Sequence, residues 1–274
     1  MTDPTAEKMA DWWQTSVIDM SPGVIRFRGY AIEDLIGNVS FPAMIWLMLR
    51  GELPSAAQAD LLGAALVAAV DHGPQAPSIA IARMAATCGV GINSAMASAI
   101  NALGDIHGGA GQQAMSLYAA IEARVAGGAA LDMAAAAEVA ERLASKQMIE
   151  GFGHRFHPVD PRAPRLLALV EDARRGGLVS GRYAAIALAV EAALAKRKGK
   201  PLPMNIDGAT AVIYCELGFP PELGRGLFVL SRSVGILAHA WEQTQQGGRI
   251  KGPVPPSVGY GYTGPAPRPL EQGE

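Results

Sequence analysis

Apolar positions recur along most of this chain at the spacing of amphipathic helices, and strand-like alternation is confined to one short stretch. That stretch, Pro22 to Tyr30, is bounded by glycines and predicts a short strand or hairpin arm. Helix signals follow. Phe41 to Arg50 ends at Gly51, a C-cap residue. Ser55-Ala56-Ala57-Gln58, after Pro54, has the form of a capping box and opens a helix to about Val70. Pro77 to Ala86 and Gly91 to Leu103 predict two helices with faces of Ala, Gly, Ser and Met, suited to close packing. Leu131 to Ile149 predicts an amphipathic helix through Met133, Val139, Leu143 and Met148. Pro164 to Arg175, Arg182 to Arg197, Ala209 to Leu217 and Pro221 to Gln246 complete the series. The tail from Gly247 is rich in Gly and Pro and is expected to lie extended across another surface. The expected class is all-α, with a short N-terminal β-hairpin.

Composition narrows this picture. The 274 residues fit one large domain or two smaller ones, and half of them are apolar, enough for a large core. A formal charge of −2 leaves no basic footprint for nucleic acid, so anionic ligands must be met by local arginines. Cys88 and Cys215 are expected as buried free thiols in a reducing cytoplasm. The apolar run Leu61 to Val70 is too short to span a membrane and is closed by Asp71-His72-Gly73-Pro74. The N-terminus, with acids and tryptophans, does not read as a signal peptide.

Candidate chemistry collects at breaks between helices, where side chains can converge on a cleft. One break holds His72 and another holds His107, in Asp105-Ile106-His107-Gly108-Gly109. A third runs from Gly151 to Arg162, with a histidine after a glycine pair and an arginine eight residues on. The fourth is Pro203 to Gly208. Histidine moves protons near neutral pH, and arginine grips carboxylates with paired hydrogen bonds. Each residue also has a plain structural role open to it. His72 can complement a helix dipole, Arg162 can pair with Asp160, and Asp207 can cap the helix that follows it. Arg232, inside an apolar helix, requires a partner or a ligand. Metal binding fits poorly, because the histidines lack i, i+4 spacing and no cysteine cluster exists. A Walker loop, a strand-linked GxGxxG and a nucleophile elbow are all missing.

Together these segments resemble the citrate synthase superfamily, and within it citryl-CoA lyases, including the C-terminal lyase module of ATP-citrate lyase. Gly23 to Leu35 is similar to the family's RGY-x-IEDL segment, and Arg50 to Pro54 to its GELP turn. His107-Gly-Gly-Ala110, Gly151-Phe-Gly-His-Arg155 with Asp160-Pro-Arg162, and Asn205-Ile-Asp207 resemble its three catalytic segments. Asn205 to Gly208 and Gly226 to Ser233 lean toward the lyase branch. So does Gly252, which stands where synthases carry an arginine that Arg249 or Lys251 would have to replace.

The resemblance implies a citrate synthase-like fold. A discontinuous large domain would span 1–110 and 209–274, and a smaller helical domain 111–208, closing on each other. It implies a cytoplasmic homodimer, or a higher oligomer built on it, with no nucleic-acid or membrane partner. It implies cleavage of citryl-CoA to acetyl-CoA and oxaloacetate, or the reverse condensation by a short synthase. A non-catalytic dimer that binds acyl-CoA or a carboxylate is the reading from another class. No tightly bound cofactor or metal is implied, since coenzyme A enters as a thioester substrate or product. By resemblance, His107 stabilises the thioester enolate, His154 acts as base on the citryl hydroxyl, and Asp207 protonates the leaving carbon. Arg162, Arg232 and His72 would hold carboxylates. Gly151, Phe152 and Gly153 would approach the adenine, and Arg155, Arg197, Lys198 and Lys200 would meet phosphates. As a proton donor at neutral pH, Asp207 needs a pKa raised well above the usual value of about 3.9.

Overall fold

The computed structural model describes residues 12–155 and 157–269, together with Thr5 and Met9. The amino-terminal stretch read above as lacking a leader lies largely outside them. Among the described residues the fold is helical apart from one small antiparallel sheet in the order β1 (Ile18–Ser21), β2 (Val24–Phe27), β3 (Tyr30–Ala31). Ile18 pairs with Phe27 and Arg26 with Ala31. The sequence reading found the middle strand but not Ile18–Ser21, whose four residues are all exposed and carry no core-facing alternation. Arg28 ties the sheet to the next layer by donating from Nε and Nη2 to the Met48 carbonyl, at 3.2 and 2.8 Å.

The helices are α1 (Ile32–Leu35), α2 (Phe41–Arg50), α3 (Ala56–Ala68), α4 (Pro77–Ala86), α5 (Ile92–Asn101), α6 (Ala110–Ala126), α7 (Leu131–Ala144), α8 (Arg162–Arg175), α9 (Arg182–Lys198), α10 (Ile206–Glu216) and α11 (Pro221–Gln246). Local signals set several boundaries. Gly51 closes α2 in the left-handed region, and Ser55 with Gln58 forms a reciprocal capping box at the start of α3. Helix α6 has no counterpart in the pattern reading, because its first turn runs through glycines without a capping side chain. Helix α7 ends at Ala144, short of the predicted Ile149; its buried residues are Ala134, Ala135, Glu138 and Val139, whereas Met133 is exposed, as is Met148 beyond its end. Arg124 and Arg142 make the burial of Glu138 tolerable by bonding its two oxygens, at 3.1 and 2.8 Å. Cys215 is buried, but Cys88 is exposed, contrary to expectation, because it falls at the surface just past the end of α4.

Two compact units emerge. The first comprises Met1–Asp71 and Leu103–Val234, the second His72–Ala102 and Gly235–Glu274. The centre of the first is α10, buried from Gly208 through Cys215 on all sides and packed against α3, α6, α8 and α9. A helix apolar all round is a core helix, so whatever projects from its first turn is held by the best-packed element of the unit. In the second unit α4 and α5 pack through small buried residues, including Ser78, Ala82, Ala95 and Ala99. The start of the tail is pinned there by Ile250 and Lys251, whose amides donate to Thr87 at 3.1 and 2.9 Å. Beyond it, residues 252–269 are exposed.

Candidate active site

Two of the singled-out segments lie side by side in the first unit. Gly153 donates its amide to the Pro203 carbonyl (2.7 Å) and Asn205 donates to Gly151 (2.9 Å), which sets Phe152 opposite Met204 in an antiparallel bridge. The Asn205 side-chain amide adds a bond to the Gly153 carbonyl (2.8 Å). Glycine is required on both sides. Gly151 sits at φ 92°, and a Cβ on Gly208 would overlap the Gly151 carbonyl oxygen. The glycines therefore press the histidine loop onto the start of α10.

That start lies three residues before the predicted one. Asn205 is the N-cap, and its side-chain oxygen accepts from the amides of Asp207 (2.9 Å) and Gly208 (3.3 Å). Asp207 is thus the second residue of α10 and not its cap. Neighbouring amides are taken by distant side chains. Met204 N–H donates to Glu191 of α9 (2.7 Å), and Ile206 N–H donates to Asp160 (3.0 Å). Tyr118 of α6 donates its hydroxyl to the Gly208 carbonyl (3.3 Å).

Asp207 is crowded by protein although part of its residue surface stays open. Burial pushes its carboxyl up to about 6. Arg232 and Arg162 pull the other way, and Glu150 and Asp160 add to the rise. Asp160 behaves oppositely. Its fully buried carboxylate also suffers desolvation, but it accepts from Arg162 Nε (2.9 Å), Nη2 (2.8 Å) and backbone N–H (3.1 Å). These bonds, with the Ile206 amide, hold it below the usual carboxylate range. Arg162 is therefore engaged with Asp160 along one edge, and its Nη1 reaches the Ala68 carbonyl at 3.5 Å.

Arg232 is buried in α11. Its Nε donates to the Ala69 carbonyl (3.0 Å) and its guanidinium stacks over Phe228 at 4.8 Å. Burial lowers its pKa, while Asp207 and Asp71 support its charge. Arg232 lies near enough to His107 to act with burial in lowering the imidazole, which keeps that ring neutral at pH 7. The His107 loop is braced by Gln113, whose side chain donates to the Asp105 carbonyl (2.8 Å), and by an Arg225–Asp105 ion pair. His154 is lowered first by burial and then by His157 and Arg162, against the pull of Asp160. Its Nδ1 accepts the His157 amide at 3.1 Å, so the neutral ring carries its proton on Nε2.

His107, Arg232, Asp207, Arg162, Asp160 and His154 thus form one electrostatically linked group within the first unit. Gly151, Phe152 and Gly153 belong to its bridge. Arg155 is exposed on the loop, and Arg197, Lys198 and Lys200 are exposed around the C-terminal end of α9. His72 belongs to the second unit, as do Arg249, Lys251 and Gly252, and Lys251 Nζ donates there to Gln243 (3.2 Å). Asn205 and Glu191 were not foreseen in their roles. The strong N-cap preference of asparagine could have flagged the first, but nothing local marks the second.

The chain is similar in sequence and fold to known proteins. The family described as "Citrate synthase, C-terminal domain" matches residues 6–64 and 56–253. A citrate synthase of Acidithiobacillus ferridurans is 31% identical over 221 residues, 79% of this chain and 55% of that protein. The chain spans about half the length of the curated relatives it matches. Among solved structures, a citryl-CoA lyase from Hydrogenobacter thermophilus superposes with a TM-score of 0.82 at 34% identity, covering 94% of this chain and 97% of that one. A citrate synthase from Thermoplasma acidophilum, solved with carboxymethyl coenzyme A and oxaloacetate, gives 0.65 at 25% identity, covering 84% and 60%. The segments that hold His107, His154 and Asp207 fall inside the region matched by the family, and the chain belongs to the citrate synthase family.

Proposed function

We propose that this chain cleaves citryl-CoA to acetyl-CoA and oxaloacetate. The observation that carries the reading is Asp207, a carboxyl raised to about 6 by burial within reach of a buried arginine. Such a group is a competent proton donor near neutral pH. Similarity to the Hydrogenobacter lyase along nearly the whole of both chains supports the same reading.

As the carbon–carbon bond breaks, its electrons pass to the thioester, and neutral His107 donates a hydrogen bond to the enolate oxygen. Asp207 delivers a proton to the carbon released. The citryl hydroxyl loses its proton to Nε2 of His154, which requires the ring to carry its other proton on Nδ1 and to release the His157 amide. Arg232 holds a substrate carboxylate with the remaining donors of Arg162, and His72 serves the same end. Gly151 to Gly153, Arg155 and the basic end of α9 receive coenzyme A. The working form is a homodimer whose discontinuous large domain (1–110 and 209–274) and small domain (111–208) close to exclude water.

Condensation is the second reading, favoured by a specific observation. In the arrangement seen, His154 presents Nε2–H, a donor suited to the carbonyl oxygen of a 2-oxo acid. Several curated relatives carry the name citrate synthase. The products separate them: cleavage of citryl-CoA without net citrate formation marks the lyase, and release of free thiol from acetyl-CoA plus oxaloacetate marks condensation. With citryl-CoA, kcat/KM is expected to fall as pH rises past about 6, because the donor form is lost. Coenzyme A binding with neither reaction would overturn both readings in favour of a non-catalytic binder.

A further inference from the structure

Asp160 joins two helix starts of the first unit through a buried carboxylate. Its side chain is wholly buried, and its two oxygens gather four donors from two elements. Three donors belong to Arg162, at the first position of α8. The fourth is the amide of Ile206, at the first position of α10, forty-six residues away in sequence. The next residue in α10 is Asp207.

We infer that Asp160 is a positioning residue, a buried carboxylate that fixes the first turn of α10, and with it the Asp207 side chain, to the guanidinium of Arg162. The inference rests on the proposed proton transfer by Asp207 and adds the group that holds the donor in place. The Ile206 amide would otherwise be an unsatisfied donor at a buried helix start. Water is a poor substitute for Asp160, because Ile206 is itself buried. The bidentate contact also fixes the plane of the Arg162 guanidinium, so one carboxylate sets the orientation of both an acid and a cation.

The electrostatic consequence is separable from the mechanical one. The charged groups around Asp207 are Arg232 of α11, Arg162 of α8, and Glu150 and Asp160 of the loop before α8. Neutralising Asp160 removes a negative neighbour and leaves Arg162 uncompensated, and both changes favour the ionised form of Asp207. A brace that carried no charge would not produce this.

The test is the pH dependence of kcat/KM for wild type, Asp207→Asn, Asp160→Asn and Ile206→Pro, with melting temperature measured alongside. Asp207→Asn identifies which limb belongs to Asp207, and a limb near 6 that survives this change overturns the acid–base reading itself. If that limb is lost, Asp160→Asn is expected to move it down by about one pH unit. Lower melting with the limb unmoved overturns the electrostatic half of the inference. Should Asp160→Asn not fold, Ile206→Pro decides. Proline is accepted at the first position of a helix, and Asn205 already has the extended backbone that precedes a proline. It deletes the N–H that reaches Asp160 and trims the buried Ile206 side chain, so Ile206→Val, which trims the side chain and keeps the N–H, is the control. We expect kcat to fall about tenfold or more in Ile206→Pro relative to Ile206→Val, and equal kcat in the two overturns the positioning role.

Discussion

Asp160 and Asp207 sit at the start of one helix, both crowded by protein, yet their charges are set in opposite directions. Asp160 is supplied with a bidentate arginine and two amides and stays ionised. Asp207 has the same Arg162 and also Arg232 in its field, but the cap amides beside it are claimed by Asn205, and burial prevails. The difference teaches that burial alone does not decide a carboxylate's state. What decides it is whether donors are already committed elsewhere. Diverting the helix-start amides to Asn205 and Asp160 keeps Asp207 in reach of protonation, and pairs of titratable groups pushed apart in this way mark acid–base sites.

The sharpest way to break this contrast is Asp207→Asn. Turnover is expected to fall by about 10²- to 10⁴-fold, the usual contribution of a positioned acid or base. Stability should move the other way. With a native pKa of about 6 against an ordinary 3.8, the folded state binds the Asp207 proton more tightly than the unfolded state. Between those values the unfolded state carries fewer protons, so stability falls as pH rises, by about 3 kcal/mol in all. Asp207→Asn is therefore expected to be more stable than wild type in urea at pH 8, by up to about 3 kcal/mol, and to show no such gain below pH 4. Asp160 gives the opposite sign, because its stabilisation is present above the unfolded value and lost as pH falls through its lowered native one. Lower stability of Asp207→Asn at pH 8 would mean that the Asp207 carboxylate is stabilised as an anion.

A smaller but still large effect is expected from opening the bridge that carries both carboxylates. In Gly208→Ala the new methyl would overlap the Gly151 carbonyl and lie 2.7 Å from Met204 Cγ, so strand and helix must separate. Overpacking of this kind costs about 1–3 kcal/mol, and a shift of an ångström at Asp207 costs about 10²-fold in rate. Gly176→Ala, at the end of α8 with only ordinary contacts at 3.6 Å, is the control and should leave both unchanged. Melting curves and kcat for the two variants check the comparison. Equal behaviour would mean that the bridge is not under the constraint its glycines indicate.

How much of this was legible follows from distance along the chain. Ser55 with Gln58, Gly51 after α2 and the bounds of α4 and α11 are decided by residues a few positions apart, and the pattern reading found them. The start of α9 at Arg182 was found as well, although its cap comes from far away. Glu216 accepts from the amides of Ser180, Gly181 and Tyr183 at 2.7–3.0 Å, and no local pattern announces it. The site divides the same way. The residue types at the helix breaks were readable, and so was the need for a raised Asp207. The Ile206–Asp160 and Met204–Glu191 bonds were not, since only the packing of α9 and the loop before α8 around α10 brings those acceptors to the amides. The tautomer of His154 likewise depends on how its own loop turns back to offer the His157 amide.

The mildest test acts on the cap that divides the two carboxylates. Asn205→Ala leaves the amides of Asp207 and Gly208 without their acceptor and removes the bond to Gly153. The usual cost of losing such a cap is about 1 kcal/mol. Asn205→Asp separates capping from charge. It can still accept from both amides, so most of that loss should be recovered, but it places a further anion beside Asp207. A like charge favours the neutral form, so the Asp207 limb should move above 6 in Asn205→Asp. In Asn205→Ala the freed amides can turn to Asp207 and favour its ionised form, so the limb should move down. Opposite displacements in two variants of one residue, read from kcat/KM against pH, would tie the protonation of Asp207 to the allocation of helix-start amides. Displacements of the same sign would break that link.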